Sequence, residues 1–558
     1  MSITNKIWRV LNPDKSGDLL SRLAQSRSMT KDEMLQSFVD FDVEGNFHDP
    51  FLFEDMRKAV DRINQAIKAN EKIIIFGDYD VDGISGTAVL VKALQKLGAN
   101  VSYRIPHRVN DGYGLNIRFI DEFIELKLGL LITVDCGISC AQEVKKASDN
   151  GISVIITDHH TIPEQKPEAA LAIIHPLRED CSYPFKGLTG AAVSYKLAQA
   201  LLLENLEREQ ALEMIDDLSD LSSLGTVADC GHLIGENRAI VSKGLRKLQN
   251  SKWNGIKALL EISGLTSENI NASSIGFKIA PRINAAGRID NPLFALQMLL
   301  IEDDEAKVSA LAQKLEQINQ KRQKMLEVAL QKALSNDSHT VERVIIDSNP
   351  DWHVGILGLI AGRLAGDTGK PAIMMQDMGD RLVGSARSNE SFNVVEALTA
   401  HSELLDHFGG HHQAAGFDLK KENLEKFVKS MRAYAAENLK NTDLKPTLNL
   451  DCLLSGEEIN WENWELLEKM APFGYGNEEP VFIMENVRPQ ELSIVGKTKE
   501  HLSMKFVFNN QEVRSIAFKM GEFAEFVRQK DTIDLACKIQ KNVWRDKASL
   551  QMQIIDIR

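Results

Sequence analysis

Ile73-Ile74-Ile75-Phe76-Gly77-Asp78-Tyr79-Asp80-Val81-Asp82-Gly83 sets an apolar run directly against three carboxylates. Consecutive apolar residues without alternation read as a strand buried on both faces, as in a parallel sheet. Asp78, Asp80 and Asp82 follow within five residues. Carboxylates this close resist leaving water together unless something positive sits among them. Hard divalent cations take carboxylate oxygens, and open α/β sheets bind ligands at the carboxyl ends of their strands. Taken alone, D-x-D-x-D fits a solvated acidic turn as well.

Recurrence weighs against the turn. Residues 130–134 form a second apolar run, which ends in Asp135-Cys136-Gly137; residues 152–157 form a third, which ends in Asp158-His159-His160. Between them lie amphipathic stretches, the pattern of βαβ units and a parallel sheet. Three strands thus each release metal-type ligands at equivalent ends. Asp229, after Thr226-Val227-Ala228, is a weaker signal, since a lone Asp there is usually a helix cap.

Further along, residues 274–290 place Arg282, Asn284 and Arg288 amid small residues, a setting that lets backbone approach a phosphate. Solvated surface arginines are the plain alternative. Residues 303–334 lack Gly and Pro and read as one long helix joining two domains. A second α/β domain follows, with strands at 344–346 and 371–375 and a helix opened by Trp352-His353-Val354-Gly355-Ile356-Leu357-Gly358. It carries Gly384-Ser385-Ala386-Arg387 and Gly409-Gly410-His411-His412-Gln413-Ala414-Ala415-Gly416. The glycine pair before His411 predicts backbone amides cupping an anion at a helix start. Past residue 445, short alternating segments at 481–484, 502–508 and 513–518 suggest a small all-β barrel or sandwich.

A chain of 558 residues is too long for one core, so about three domains are expected. Six scattered cysteines suggest reduced thiols, no apolar run reaches membrane-spanning length, and residues 1–9 lack a signal-peptide core; a cytoplasmic protein is expected. The net charge of −14 argues against a protein that coats nucleic acid along its whole surface. Residues 488–558, however, hold 13 Lys plus Arg against 9 Asp plus Glu, a local +4 that leaves −18 elsewhere. A basic tail domain suits an oligonucleotide-binding barrel.

In order, D-Y-D-V-D-G, T-V-D-C-G, T-D-H-H, V-A-D-C, A-P-R-I-N-A-A-G-R, W-H-V-G-I-L-G and G-G-H-H-Q-A-A-G resemble the motifs of the RecJ family of single-strand-specific exonucleases, within the DHH phosphoesterase superfamily. The resemblance implies an N-terminal helical segment (1–70), a parallel-sheet DHH domain (71–302), a connecting helix (303–335), a DHHA1 domain (336–440) and an oligonucleotide-binding barrel (445–558). It implies 5′→3′ exonuclease action on single-stranded DNA in recombination and repair, with two divalent ions, Mn²⁺ or Mg²⁺. By position, Asp80 and Asp135 resemble ligands of one ion, with Asp78 near. Asp82, Asp135, His159 and Asp229 resemble ligands of the other, so Asp135 would bridge. His160 resembles the residue facing the scissile phosphate, and Asp158 a support that orients a histidine ligand. Ser385, Arg387, Gly410 and His411, with His353, resemble a pocket for the 5′-terminal phosphate, while Arg282, Asn284 and Arg288 resemble backbone clamps. Cys136 and His412 depart from common family residues without replacing a metal ligand. A monomer working with a RecQ-type helicase and single-strand-binding protein is implied too. Two alternatives stay open: a DHH phosphodiesterase for short oligonucleotides or cyclic dinucleotides, and a non-catalytic DNA-binding scaffold.

Overall fold

After a first strand, β1 (Ile7–Asn12), the chain builds a five-stranded sheet from β2 (Ile73–Gly77), β3 (Val101–Arg104), β4 (Leu130–Val134), β5 (Ser153–Thr157) and β6 (Ala172–Ile174). All pairs are parallel, in the order β3-β2-β4-β5-β6. Every residue of β2 and β4 is buried, which is why their sequences run apolar without alternation. The computed structural model describes residues 2–108, 110–336, 341–545 and 547–558. Helices Val81–Lys96, Gly190–Asn205 and Arg208–Ala228 pack on one another and share the main core with this sheet. Among the described residues no helix is long and apolar enough to cross a membrane.

The helix Glu305–Leu334 runs 30 residues, about 45 Å at 1.5 Å per residue. Its first half packs on Ala280–Ile289 and its far half on Val354–Thr368, so it ties the first domain to the second. The second sheet has the order β10-β11-β9-β8-β7, from β7 (Ile345–Asn349), β8 (Ala372–Asp377), β9 (Arg381–Arg387), β10 (His407–His411) and β11 (Ala414–Lys420). Only β7 and β8 pair parallel; the other neighbours are antiparallel.

The last unit holds β12 (Thr447–Cys452) and a six-stranded sheet, β13-β17-β18-β16-β15-β14, made of β13 (Phe482–Val487), β14 (Glu491–Val495), β15 (His501–Phe508), β16 (Gln511–Ala517), β17 (Ile533–Trp544) and β18 (Lys547–Ile557). Two expectations are corrected here. Residues 1–70 are not one helical segment: β1 pairs in parallel with β12, and Asp556 on β18 accepts from Trp8 Nε1 at 2.7 Å and Thr4 N at 3.2 Å. Leu19, Leu23, Met34 and Phe38 join the core of Phe482, Phe506 and Ile554. The two ends of the chain therefore fold as one body, whereas Met56–Lys68 packs in the first domain. Nor is the folded unit basic: residues 447–558 hold 14 Lys plus Arg against 18 Asp plus Glu, because helix Trp461–Lys469 and the segments beside it, with Glu457, Glu458, Glu478 and Glu479, are glutamate-rich.

Arg238 locks this body to the first domain. Its guanidinium, 1% exposed, donates to the carbonyls of Met470 (2.9 Å), Ala471 (2.8 Å) and Phe38 (3.0 Å). Two of these acceptors end helix Trp461–Lys469, where the negative pole of the helix suits a cation.

Candidate active site

Sheet register sets the geometry. Gly77, Val134 and Thr157 are level across β2, β4 and β5. Asp78, Asp135 and Asp158 therefore leave the sheet side by side, on strands about 4.8 Å apart. Asp135 turns off β4 at φ 60, a left-handed conformation that costs a residue with a side chain about 1 kcal/mol or more and persists where its surroundings hold it. Two glycines make room: a Cβ on Gly190 would stand 2.5 Å from the Asp135 carboxylate, and one on Gly83 would stand 2.6 Å from the Asp78 backbone.

The remaining carboxylates are aimed by helix ends. Asp80 caps Val81–Lys96, with Oδ1 accepting from Asp82 N (2.9 Å) and Gly83 N (3.1 Å). Asp82 accepts from Gly190 N (2.6 Å) and Ala191 N (2.9 Å) at the start of the next core helix. Asp229 is the residue on which helix Arg208–Ala228 ends. His159 Nε2 lies 3.1 Å from Asp135, 3.6 Å from Asp229 and 3.7 Å from Asp82. Among the described residues three overlapping ligand groups result: Asp78, Asp80 and Asp135; Asp82, His159 and Asp229; and Asp135, His159 and His160. Asp135 and His159, each in two of them, stand between the outer carboxylates.

The electrostatics fit cations. Burial and the neighbouring Asp80 push Asp82 up to about 7, and burial and Asp82 push Asp229 up to about 8. Asp78 is driven well above the carboxylate range by burial and then by Asp80, and Asp135 by burial and then by Asp82, Asp80 and Asp78. Burial, with the nearby His160, pushes His159 down to about 4, so it stays neutral and able to bind metal. Oδ1 of Asp78 and Oδ1 of Asp135 are buried and accept no hydrogen bond. Orphaned, mutually repelling oxygens with one imidazole and no thiolate form a donor set for Mg²⁺ or Mn²⁺.

Asp158 supports a different histidine from the one expected. Its Oδ1 accepts from His160 Nδ1 at 2.8 Å and from the backbone N of His159 (2.7 Å) and His160 (3.1 Å). Burial opposes charge on His160, but the bond to Asp158 outweighs it and raises the ring to about 9. His160 is thus an imidazolium at the edge of the site, with the Tyr113 hydroxyl about 3.3 Å from the ring.

In the second domain, His411, Ala414 and Arg387 are level across β10, β11 and β9, and Gly409, Gly416 and Ser385 are level two residues away. Residues in register share a face, so Arg387 and His411 flank a hollow floored by small residues. Arg387 Nη1 donates to Ser385 Oγ (3.0 Å) and to the carbonyl of Ala386 (2.8 Å). Beside it, a cavity of about 420 Å³ is lined by Ser385, Gly358, Gly409 and Gly416 and, from the first domain, by Arg108. The Gly409-Gly410 pair lies in a β-hairpin, not at a helix start, and Gly410 takes φ 148 with its Cα against Ala415. His353 caps helix Val354–Thr368, its Nδ1 accepting from Gly355 N at 3.0 Å.

The three clamp residues part company. Arg288 donates to the Gly355 carbonyl at 3.3 Å, spanning the two domains; burial, then the Arg108 charge, push its pKa down to about 10. Asn284 Oδ1 instead accepts from Val81 N at 3.2 Å and so props the metal-site loop. Arg282 is already held, by Glu316 at 2.6 Å and the carbonyls of Lys278 (2.5 Å) and Ile262 (3.2 Å). Sequence reasoning missed Arg108 and Tyr113. The glycines around Tyr113 in Asp111-Gly112-Tyr113-Gly114 mark a loop able to carry a functional ring, whereas Arg108 gave no signal.

Comparison with known proteins agrees with this geometry. Residues 72–226 match the DHH family, N-terminal domain, residues 337–437 the DHHA1 domain, and residues 450–556 the RecJ OB domain. The single-stranded-DNA-specific exonuclease RecJ of Dickeya dadantii is 32% identical, over 97% of this chain and 96% of its own. The chain belongs to the RecJ family. RecJ of Thermus thermophilus is 34% identical, over 90% of this chain and 71% of its own length. RecJ of Bacillus subtilis is 35% identical over 92% of this chain, which spans only 64% of that relative. The crystal structure of Thermus thermophilus RecJ with Mn²⁺ superposes with a TM-score of 0.82 at 30% identity, covering 100% of this chain and 80% of that one. A second structure of that protein, with Mg²⁺, gives 0.75 at 29% identity, covering 99% of this chain and 78% of that one.

Proposed function

We propose that this RecJ-family protein is a metal-dependent exonuclease that degrades single-stranded DNA from its 5′ end, releasing 5′-mononucleotides in recombination and repair. The observation that carries the reading is Asp135 shared by two ligand groups, beside the imidazolium of His160. Two divalent ions, held by Asp78, Asp80 and Asp135 and by Asp82, Asp135, His159 and Asp229, would supply an activated water and neutralise charge on the phosphate.

The chain's own residues do the rest. His160 presents a cation to the phosphate under attack, and Asp158 keeps it charged and oriented. Arg387, with Ser385 and His411, takes the terminal 5′-phosphate, since a guanidinium offers that group two parallel hydrogen bonds. Arg288 and Arg108 line the gap between pocket and metal centre. Fixing the end in one domain and the bond in the other makes distance select the terminal nucleotide. A monomer acting in the cytoplasm with a RecQ-type helicase and single-strand-binding protein belongs to this reading through family membership.

The test is Asp82→Ala and His159→Ala, assayed on end-labelled single strands with Mn²⁺. Both should abolish cleavage while strand binding persists. Near wild-type cleavage in either variant contradicts the reading.

A further inference from the structure

Phe277 is 83% exposed, the most exposed aromatic side chain among the described residues. It sits in a π-helical turn, Ile275–Ile279, that runs straight into helix Ala280–Ile289. Such turns cost helix hydrogen-bond geometry and are frequent at functional sites. Its place on the helix is informative. Phe277, Pro281, Asn284 and Arg288 follow one another at spacings of four, three and four, which makes one stripe. The far half of that stripe touches the active site: Asn284 bonds Val81 N and Arg288 reaches Gly355, while Gly287 beside them packs on the Tyr79 backbone. At the Phe277 end, Gly276 lies against Val227, two residues before Asp229.

Arg288 marks the end of this helix nearest the phosphate pocket and Phe277 the other end, beyond the metal-site loop that Asn284 bonds, which is the direction a strand held at its 5′ end would continue. Seven to ten residues of helix separate Phe277 from Asn284 and Gly287, which meet the metal-site loop, or about 10–15 Å. At about 3.4 Å per stacked nucleotide, that spans roughly three to five nucleotides. Lys278, exposed beside the ring, offers a cation to a neighbouring phosphate. An aromatic face with an adjacent cation is a base-stacking platform, and every base has a face to stack.

We infer that Phe277 stacks on a base of the retained strand, roughly three to five nucleotides from the bond that is cut. The inference rests on the exonuclease reading above. It is tested with 5′-phosphorylated strands whose first linkage resists hydrolysis and which carry 2-aminopurine at one position, moved stepwise from the 5′ end. Wild type and Phe277→Trp should quench the probe at one or two adjacent positions in that window, and Phe277→Ala should lose this quenching. Phe277→Ala should bind such strands about five- to a hundredfold more weakly. An abasic site in the window should cost wild type a similar factor and cost Phe277→Ala nothing more. Quenching unchanged in Phe277→Ala, or an abasic penalty equal in both proteins, overturns the platform. Cleavage of unmodified strands by wild type separates the two readings: with cleavage intact, such a result removes only the platform, whereas a wild type that neither binds nor cuts single strands removes both.

Discussion

Oδ1 of Asp158 lies 2.8 Å from Nδ1 of His160, and this bond holds the ring charged up to about pH 9 despite its burial. The useful form is the cation, which exists below that pKa, so activity should fall as pH rises past about 9. Asp158→Asn removes the partner and leaves burial, which pushes the ring down. The falling limb of the pH–rate profile should move to lower pH in Asp158→Asn. A limb that stays in place assigns it to another group.

Metal binding should release protons. Asp82 at about 7 and Asp229 at about 8 carry protons in the metal-free protein at and below neutral pH. A cation must displace them, so Mn²⁺ affinity should fall by about tenfold per pH unit for each proton displaced as pH drops through this range. The sign for stability is opposite. These folded pKa values lie above the unfolded ones, so the contribution is complete below about pH 4 and lost as pH rises through 7 to 8. Unfolding temperature in chelator should therefore fall across that window, and Mn²⁺ should reverse the fall.

Arg282 should behave as a structural residue. Its guanidinium bonds Glu316, Lys278 and Ile262, tying helix Ala280–Ile289 to the connecting helix. Arg282→Met should cost about 1–3 kcal/mol of stability, read by denaturant unfolding, with little change in KM for single strands. A large rise in KM at unchanged stability would restore it as a DNA contact.

Much of this was legible in the sequence because the informative residues are local. Apolar runs of five, each ending in Asp or His, announce a parallel sheet with ligands at its carboxyl end, and register does the rest. What stayed hidden depends on long-range pairing. β1 reads as nothing in particular until β12 lies beside it, more than four hundred residues on. Arg282 and Asn284 share a motif and differ only in what the fold sets opposite them. Charge counted over residues 488–558 suggests a basic domain because that count stops short of the acidic helix Trp461–Lys469 and the glutamates beside it, which complete the folded unit.

Arg238 is a case of such long-range pairing with a measurable consequence. Arg238→Met leaves the buried carbonyls of Ala471 and Phe38 without the guanidinium, and Met470 with Asn477 Nδ2 alone. Several kilocalories of destabilisation are expected, about 3 kcal/mol, and the joined N- and C-terminal body should become sensitive to proteolysis before the catalytic domain does. Simultaneous digestion of both would show that Arg238 is not what joins them.

Polarity tests the account most directly, because it requires both domains at once. Arg387 and His411 flank their hollow on the second sheet, whereas the metal-ligand groups found among the described residues all lie in the first domain. The decisive measurement is mononucleotide release from single strands bearing a 5′-phosphate, a 5′-hydroxyl or only a free 3′ end, by wild type and Arg387→Ala. Wild type should degrade from the 5′ end and favour the 5′-phosphate. Arg387→Ala should lose that preference, at a cost of about ten- to a hundredfold in kcat/KM on the phosphorylated strand. Degradation that starts from the 3′ end, or an equal loss on both 5′ termini, would contradict it.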